Sequence, residues 1–187
     1  MERIRTFICI EITNPEIRNK IKKIQKEFKS LEGRIKSTEE ENIHITLKFL
    51  GDISIQSSKK ISELLDSVKF SSFKLNLQGI GCFPSPSRPR IVWVGAKTGS
   101  DQIKEIYTLI NSQLKNFHFK PDKFHSHITI SRIKYLDRSN INEFKKLLDS
   151  VKNTDFGTIE ISSFQFKKSV LTPKGPIYSI LKDFKSN

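Results

Sequence analysis

The hexapeptide Leu64-Leu-Asp-Ser-Val-Lys69 recurs unchanged as Leu147-Leu-Asp-Ser-Val-Lys152, 83 positions along. At the same displacement and without a gap, His44-Ile-Thr-Leu47 falls on His127-Ile-Thr-Ile130, Phe73 on Phe156 and Phe83 on Phe166. One shared hexapeptide is compatible with chance, whereas several matches in one register mark an internal repeat. The chain therefore reads as a single bilobal domain, with lobe 1 at about residues 1–86 and lobe 2 at about 87–187. Corresponding strands of the two lobes are expected to face each other across a pseudo-twofold axis.

The elements around these markers come twice in the same order. Residues 3–12 hold the β-branched run Thr-Phe-Ile-Cys-Ile-Glu-Ile of a buried strand. Asn14 can cap a helix with Pro15 at its first position; Ile17, Ile21, Ile24, Phe28 and Leu31 then recur at helical spacing until Gly33 ends it. A strand at 43–50, a helix at about 57–68 and a strand at 73–83 complete βαβαβ. After the proline-rich turn Pro84-Ser-Pro-Ser-Arg-Pro89 the second half supplies a strand at 90–96 and a helix capped by Ser100. A strand at 124–133, a helix at 141–151 and a strand at 156–166 follow. A last strand at 177–184 has no counterpart in the first half and closes a hairpin through Pro173-Lys-Gly-Pro176. The fold class is α+β.

Leu, Ile, Val and Phe make up 59 of the 187 residues, well above the roughly one-fifth below which chains stay disordered, so a packed core is expected. No apolar run approaches the roughly 18 residues of a membrane helix, and the first dozen residues carry Glu2, Arg3, Arg5 and Glu11. Neither a membrane association nor a signal peptide is expected, which points to the cytoplasm. Cys9 and Cys82 lie in apolar strand-like runs without CxxC spacing and read as buried intracellular thiols. The net charge of +13 comes mostly from lysine, 25 Lys against 8 Arg. That balance suits diffuse attraction to a polyanion better than bidentate reading of bases, although a merely solvated lysine surface has the same composition.

Of the four histidines, His44 and His127 head the sequence His-Ile-Thr at matching places in the repeat. Residues two apart on a strand share a face, so His44, Thr46 and Lys48 are expected on one face and Ile43, Ile45, Leu47 and Phe49 on the core face. The same parity groups His127, Thr129 and Ser131 against Ile128 and Ile130. Two opposed imidazoles suit cleavage of a phosphodiester, because in-line displacement puts attacking and leaving oxygens on opposite sides of phosphorus. With an ordinary imidazole pKa of about 6.5, one ring can be neutral and the other protonated near neutral pH. Thr46 and Thr129 would donate to the non-bridging oxygens. This chemistry requires no metal and no cofactor.

The stretches His44-Ile-Thr-Leu-Lys-Phe-Leu-Gly51 and His127-Ile-Thr-Ile-Ser-Arg132 resemble the paired HxTx motifs of the 2H phosphoesterase superfamily, in particular the RNA 2′,3′-cyclic phosphodiesterases, also named 2′-5′ RNA ligases. The resemblance extends over nearly the whole chain. It implies a bilobal fold with two antiparallel sheets lining a central cleft and helices outside. It also implies metal-independent opening of a terminal 2′,3′-cyclic phosphate on RNA to a 2′-phosphomonoester, with reversible 2′-5′ ligation in some members. By the same analogy His44 protonates the leaving 3′-oxygen and His127 activates water. Arg132 matches the family arginine and would hold phosphate, yet strict parity puts it opposite His127, so it must lie beyond the regular strand or reach around its end. Relatives often carry proline where this chain has Ser126. The expected partners are RNA ends bearing cyclic phosphate, tRNA fragments included, and the expected form is a monomer.

His125 lies two before His127 and invites a metal reading with His44 as third ligand, but the stretch supplies no suitably placed carboxylate, Asp122 being at the wrong parity. His118 is expected at a solvent edge. Arg88, Arg90, Lys48 and Lys168 are candidate contacts to an RNA backbone or generic surface charges. The alternative to an enzyme is a non-catalytic module that binds RNA ends. Binding alone gives no reason for His and Thr to recur together in both halves.

Overall fold

Asn14 opens the first helix as its sequence predicts: its side chain accepts from the Ile17 amide at 3.1 Å, and Pro15 follows where a missing N–H costs nothing. This helix, α1 (Pro15–Lys29), buries Ile17, Ile21, Ile24 and Phe28 and turns its lysines outward. It stops at Ser30; Gly33, expected to terminate it, begins a short strand instead. The computed structural model describes residues 2–121, 123–173 and 175–187, so Asp122 and part of the expected hairpin turn lie outside the described residues.

The strands are β1 (Arg3–Glu11), β2 (Gly33–Ser37), β3 (His44–Ser54), β4 (Phe73–Phe83), β5 (Ile91–Ala96), β6 (His127–Leu136), β7 (Asp155–Ile161), β8 (Ser163–Thr172) and β9 (Gly175–Lys185). The remaining helices are α2 (Ile55–Leu65), α3 (Ser100–Gln113) and α4 (Ile141–Val151). Gly99, not Ser100, caps α3; its φ is +89° and a Cβ there would meet the Lys74 carbonyl at 2.5 Å, so only glycine fits. The single strand expected at 156–166 is two, β7 and β8, which leave in different directions.

The strands form one antiparallel sheet in the order β7-β4-β5-β6-β3-β1-β8-β9, with β2 added to β6. It consists of two blocks, β7-β4-β5-β6 and β3-β1-β8-β9, joined where Ile45 of β3 pairs with Ile128 of β6. These two isoleucines are 83 apart, so equivalent residues of the repeat pair with each other. The blocks also exchange strands: β4, from the first half of the sequence, pairs with β5 and β7, while β8 pairs with β1 and carries β9. The helices bury their apolar faces in a continuous core that includes Phe28, Ile61, Ile106, Phe144 and Phe166, with the Phe28 and Phe144 rings 5.4 Å apart. Burial of side chains of this size is worth roughly 1.5–3 kcal/mol each.

Both central strands carry a β-bulge at the same place in the repeat. Along β1 and β3, Cys9 faces Thr46 and Ile8 faces Lys48, which leaves Leu47 as an extra residue. Along β5 and β6, Trp93 faces Thr129 and Val92 faces Ser131, which leaves Ile130 extra. An inserted residue reverses the alternation of faces beyond it. Lys48 and Ser131 are consequently buried, at 4% and 0% exposure, while Phe49 is 63% exposed and Arg132 is also outside. This corrects the expected faces: Lys48 leaves the His44 face and Ser131 the His127 face, and Phe49 leaves the core. The extra Ile130 is held from both sides, its carbonyl accepting from the Thr38 amide at 2.8 Å and from the Gln25 amide side chain of α1 at 2.7 Å.

Candidate active site

The pairing of Ile45 with Ile128 brings the starts of β3 and β6 together, and with them His44 and His127. Each imidazole is fixed through Nδ1. The Nδ1–H of His44 donates to the Asn42 carbonyl at 2.7 Å, and that of His127 donates to the His125 carbonyl at 2.7 Å. A carbonyl can only accept, so both rings carry the proton on Nδ1 and leave Nε2 for chemistry. Asn42 and His125 are themselves repeat equivalents. His125 thus contributes a backbone oxygen to this clamp, while its imidazole is exposed beside Phe83 and Trp93.

His44, Thr46, His127, Thr129 and Arg132 all line one cleft of about 650 Å³. The Thr46 hydroxyl lies 3.1 Å from His44 Nε2. Arg132 enters because the Ile130 bulge turns it to the histidine face, which removes the parity conflict without any need for it to reach around the strand end. Phe49, its counterpart after the Leu47 bulge, enters the cleft from the other block. Lys134, two residues beyond Arg132, also lines the cleft, and so does Lys36 of β2. Neither cation was singled out by the sequence, since β2 itself is too short and polar to show a period.

Burial holds His44 well below the usual imidazole range, at about 4, and the nearby Lys167 and Arg132 charges act in the same direction; the bond to Asn42 and the Glu11 carboxylate oppose them. His127 is lowered as well, first by burial and then by His125 and Arg132, with the bond to His125 opposing. Aromatic rings supply much of that burial. Phe7 and Tyr178 stand 5.2 and 5.6 Å from the His44 ring, and Phe83 and Trp93 stand 5.3 and 6.3 Å from the His127 ring. Tyr178 lines the cleft from β9, and its phenol is raised in pKa by burial. It lies in the strand without a repeat counterpart, so no motif could have flagged it.

The other candidates lie elsewhere. Lys48 is buried, 6.0 Å from the Tyr107 ring, and Lys168 borders a separate surface near Arg3 and Arg5. Arg90 donates to the Lys134 carbonyl at 2.7 Å, and Arg88 is exposed. His118 is exposed after the end of α3. Among the described residues no three metal-ligating side chains come together. Cys9 is buried, which pushes its thiol up to about 12, and Cys82 is half-buried.

Residues 6–185 match the family described as the AKAP7 2'5' RNA ligase-like domain. The chain is 37% identical over 182 residues to the RNA 2′,3′-cyclic phosphodiesterase of Archaeoglobus fulgidus, covering 97% of this chain and 99% of that one. It is 40% identical over 154 residues to the protein of the same name from Aeropyrum pernix, covering 81% and 86%. Its fold is similar to the crystal structure of Escherichia coli LigT complexed with 3′-AMP, with a TM-score of 0.79, 24% identity and coverage of 100% and 99%.

Proposed function

The chain belongs to the AKAP7 2'5' RNA ligase-like domain family, and from that premise we propose that it is an RNA 2′,3′-cyclic phosphodiesterase acting through His44 and His127. The observation that carries the assignment is the matched pair of imidazoles, each locked by a carbonyl two residues upstream, in one cleft with two threonines and an arginine. His127 Nε2, which has no partner among the described residues, takes a proton from water as the water oxygen attacks phosphorus. The bond from phosphorus to O3′ breaks, and protonated His44 delivers its Nε2 proton to O3′. The product is a 2′-phosphomonoester with a free 3′-hydroxyl, and solvent returns the proton from His127 to His44.

Thr46, Thr129 and Arg132 hold the non-bridging oxygens, where negative charge must be stabilised. Burial keeps His44 neutral, but a bound phosphate brings a negative charge beside the ring and raises its pKa. A 5′-hydroxyl in the place of water gives a 2′-5′ linkage by the same proton transfers, which is the reversible ligase activity. The division of labour into lobes of about 1–86 and 87–187 is part of the proposal, one histidine coming from each. All five residues come from one chain, which supports a working monomer. The natural substrates we assign are RNA fragments with cyclic phosphate ends, those of tRNA among them, in the cytoplasm.

The test is incubation with a short RNA ending in a 2′,3′-cyclic phosphate, with and without chelator, and determination of the product phosphate position. A 2′-phosphate formed at an undiminished rate in chelator is expected. Binding without turnover would instead identify an RNA-end-binding module, and activity restored only by a divalent ion would identify a metal-dependent hydrolase.

A further inference from the structure

Beside the cleft lies a second depression, of about 660 Å³, within the usual size of ligand sites. Phe49 lines both, so its 63%-exposed ring is the wall between them. The far wall of this groove is the segment after α3, where the Phe117 and Phe119 rings stack 5.7 Å apart with 4° between their planes. His118, between them, is exposed and has a φ of +52°, a left-handed conformation uncommon outside glycine. Lys120 adjoins it, and Arg3 stands on the opposite side, its guanidinium donating to the Asp52 carbonyl. The Asp52 carboxylate is the opposing charge among the groove residues described.

We infer that this groove seats the RNA strand on the 5′ side of the terminal cyclic phosphate. The inference rests on the proposed activity and extends it from the reacting end to the nucleotides behind it. A strand leaving the phosphate site toward this groove passes the exposed face of Phe49, which is placed to stack on a base as the chain turns from cleft to groove. Beyond it the exposed imidazole of His118 offers a second stacking surface, and Lys120 and Arg3 offer cations to backbone phosphates. Neither contact distinguishes one base from another, so the groove favours length over sequence.

The test compares two substrates, a mononucleoside 2′,3′-cyclic phosphate, which ends at the cleft, and an RNA oligomer with the same end, which crosses into the groove. The variants are Lys120→Glu and His118→Asn, the latter chosen because asparagine tolerates the left-handed conformation. For each variant kcat/KM on the oligomer is expected to fall about tenfold or more, while turnover of the mononucleotide stays within twofold. The salt dependence of oligomer turnover should also become shallower for Lys120→Glu. Equal effects on both substrates, or none on either, would overturn the inference while leaving the proposed activity in place. Absence of turnover of both substrates by the unaltered protein would overturn the activity and the inference together. Should either variant lose its fold by circular dichroism, Lys120→Ala gives the same comparison with half the change in charge.

Discussion

The seats of His44 and His127 share what the proposed chemistry needs and differ in what surrounds it. In both, the carbonyl two residues upstream fixes Nδ1–H at 2.7 Å, and a bulge follows the threonine. Under His44, however, the neighbouring strand supplies Glu11, whose carboxylate receives the buried Lys167 at 3.1 Å, with Arg18 further off at 3.7 Å. Beside His127 the corresponding position is Gly95, and the Trp93 ring lies so close over Gly81 that a Cβ there would approach it to 2.2 Å. One seat is ionic beneath and the other aromatic. After the bulges, one block presents Phe49 and the other Arg132. The two halves of the repeat therefore share the pair of clamped imidazoles and differ in the electrostatics around them and in the side chain each presents to the cleft.

The hardest test of this pairing is removal of each ring in turn. His44→Asn and His127→Asn should each lower kcat/KM by about 10²- to 10⁴-fold, measured on a cyclic-phosphate RNA, with little change in circular dichroism. A loss confined to one variant would break the equivalence of the seats. The difference between them is sharpened by acid. With a folded pKa of about 4 against 6.5, His44 binds fewer protons folded than unfolded between those values. Its contribution to stability is complete above pH 6.5 and is lost as the pH falls towards 4. Replacing it by Asn should flatten the fall in unfolding free energy over that window by up to about 3 kcal/mol, read by urea titration at several pH values.

A smaller effect is expected at the support of one bulge. Gln25→Met removes the bonds to the Thr38 and Ile130 carbonyls, leaving the latter with only the Thr38 amide, and should cost about 1–3 kcal/mol. Because that bulge aims Arg132, kcat/KM should also fall about tenfold, with the fall appearing mainly in KM. Unchanged kinetics would show that the bulge in β6 holds itself. The smallest change concerns Ser131, whose hydroxyl the bulge buries without a partner among the described residues. Ser131→Ala should raise stability by about 1 kcal/mol or less in thermal melts and leave turnover unchanged.

The repeat made the order of the main elements legible, because apolar spacing in α1, α4 and β4 depends on residues close in sequence. The histidines and threonines were legible for the same reason, since they precede the bulges and keep strict alternation. The faces of Lys48, Phe49, Ser131 and Arg132 were not. A bulge is stabilised by partners such as Gln25, 105 residues from Ile130, and periodicity carries no trace of such a bond. The strand β2 was missed because Gly-Arg-Ile-Lys-Ser has no apolar face and pairs only at the rim of β6. Ser100 has the residue type of a cap, but the backbone uses the conformational freedom of Gly99.

The exchange of strands between the halves has a consequence during synthesis. As the chain emerges, β1 and β3 can pair early, but the outer edge of β1 stays open until residues 163–172 have been made, and β4 waits for β5 and β7. Pairings so distant along the chain form late and slowly. The two histidines can meet once β6 has been made, through Ile45 and Ile128, but the cleft wall formed by Thr172, Pro176 and Tyr178 comes last, so a truncated translation product carrying both motifs would lack that side of the cleft.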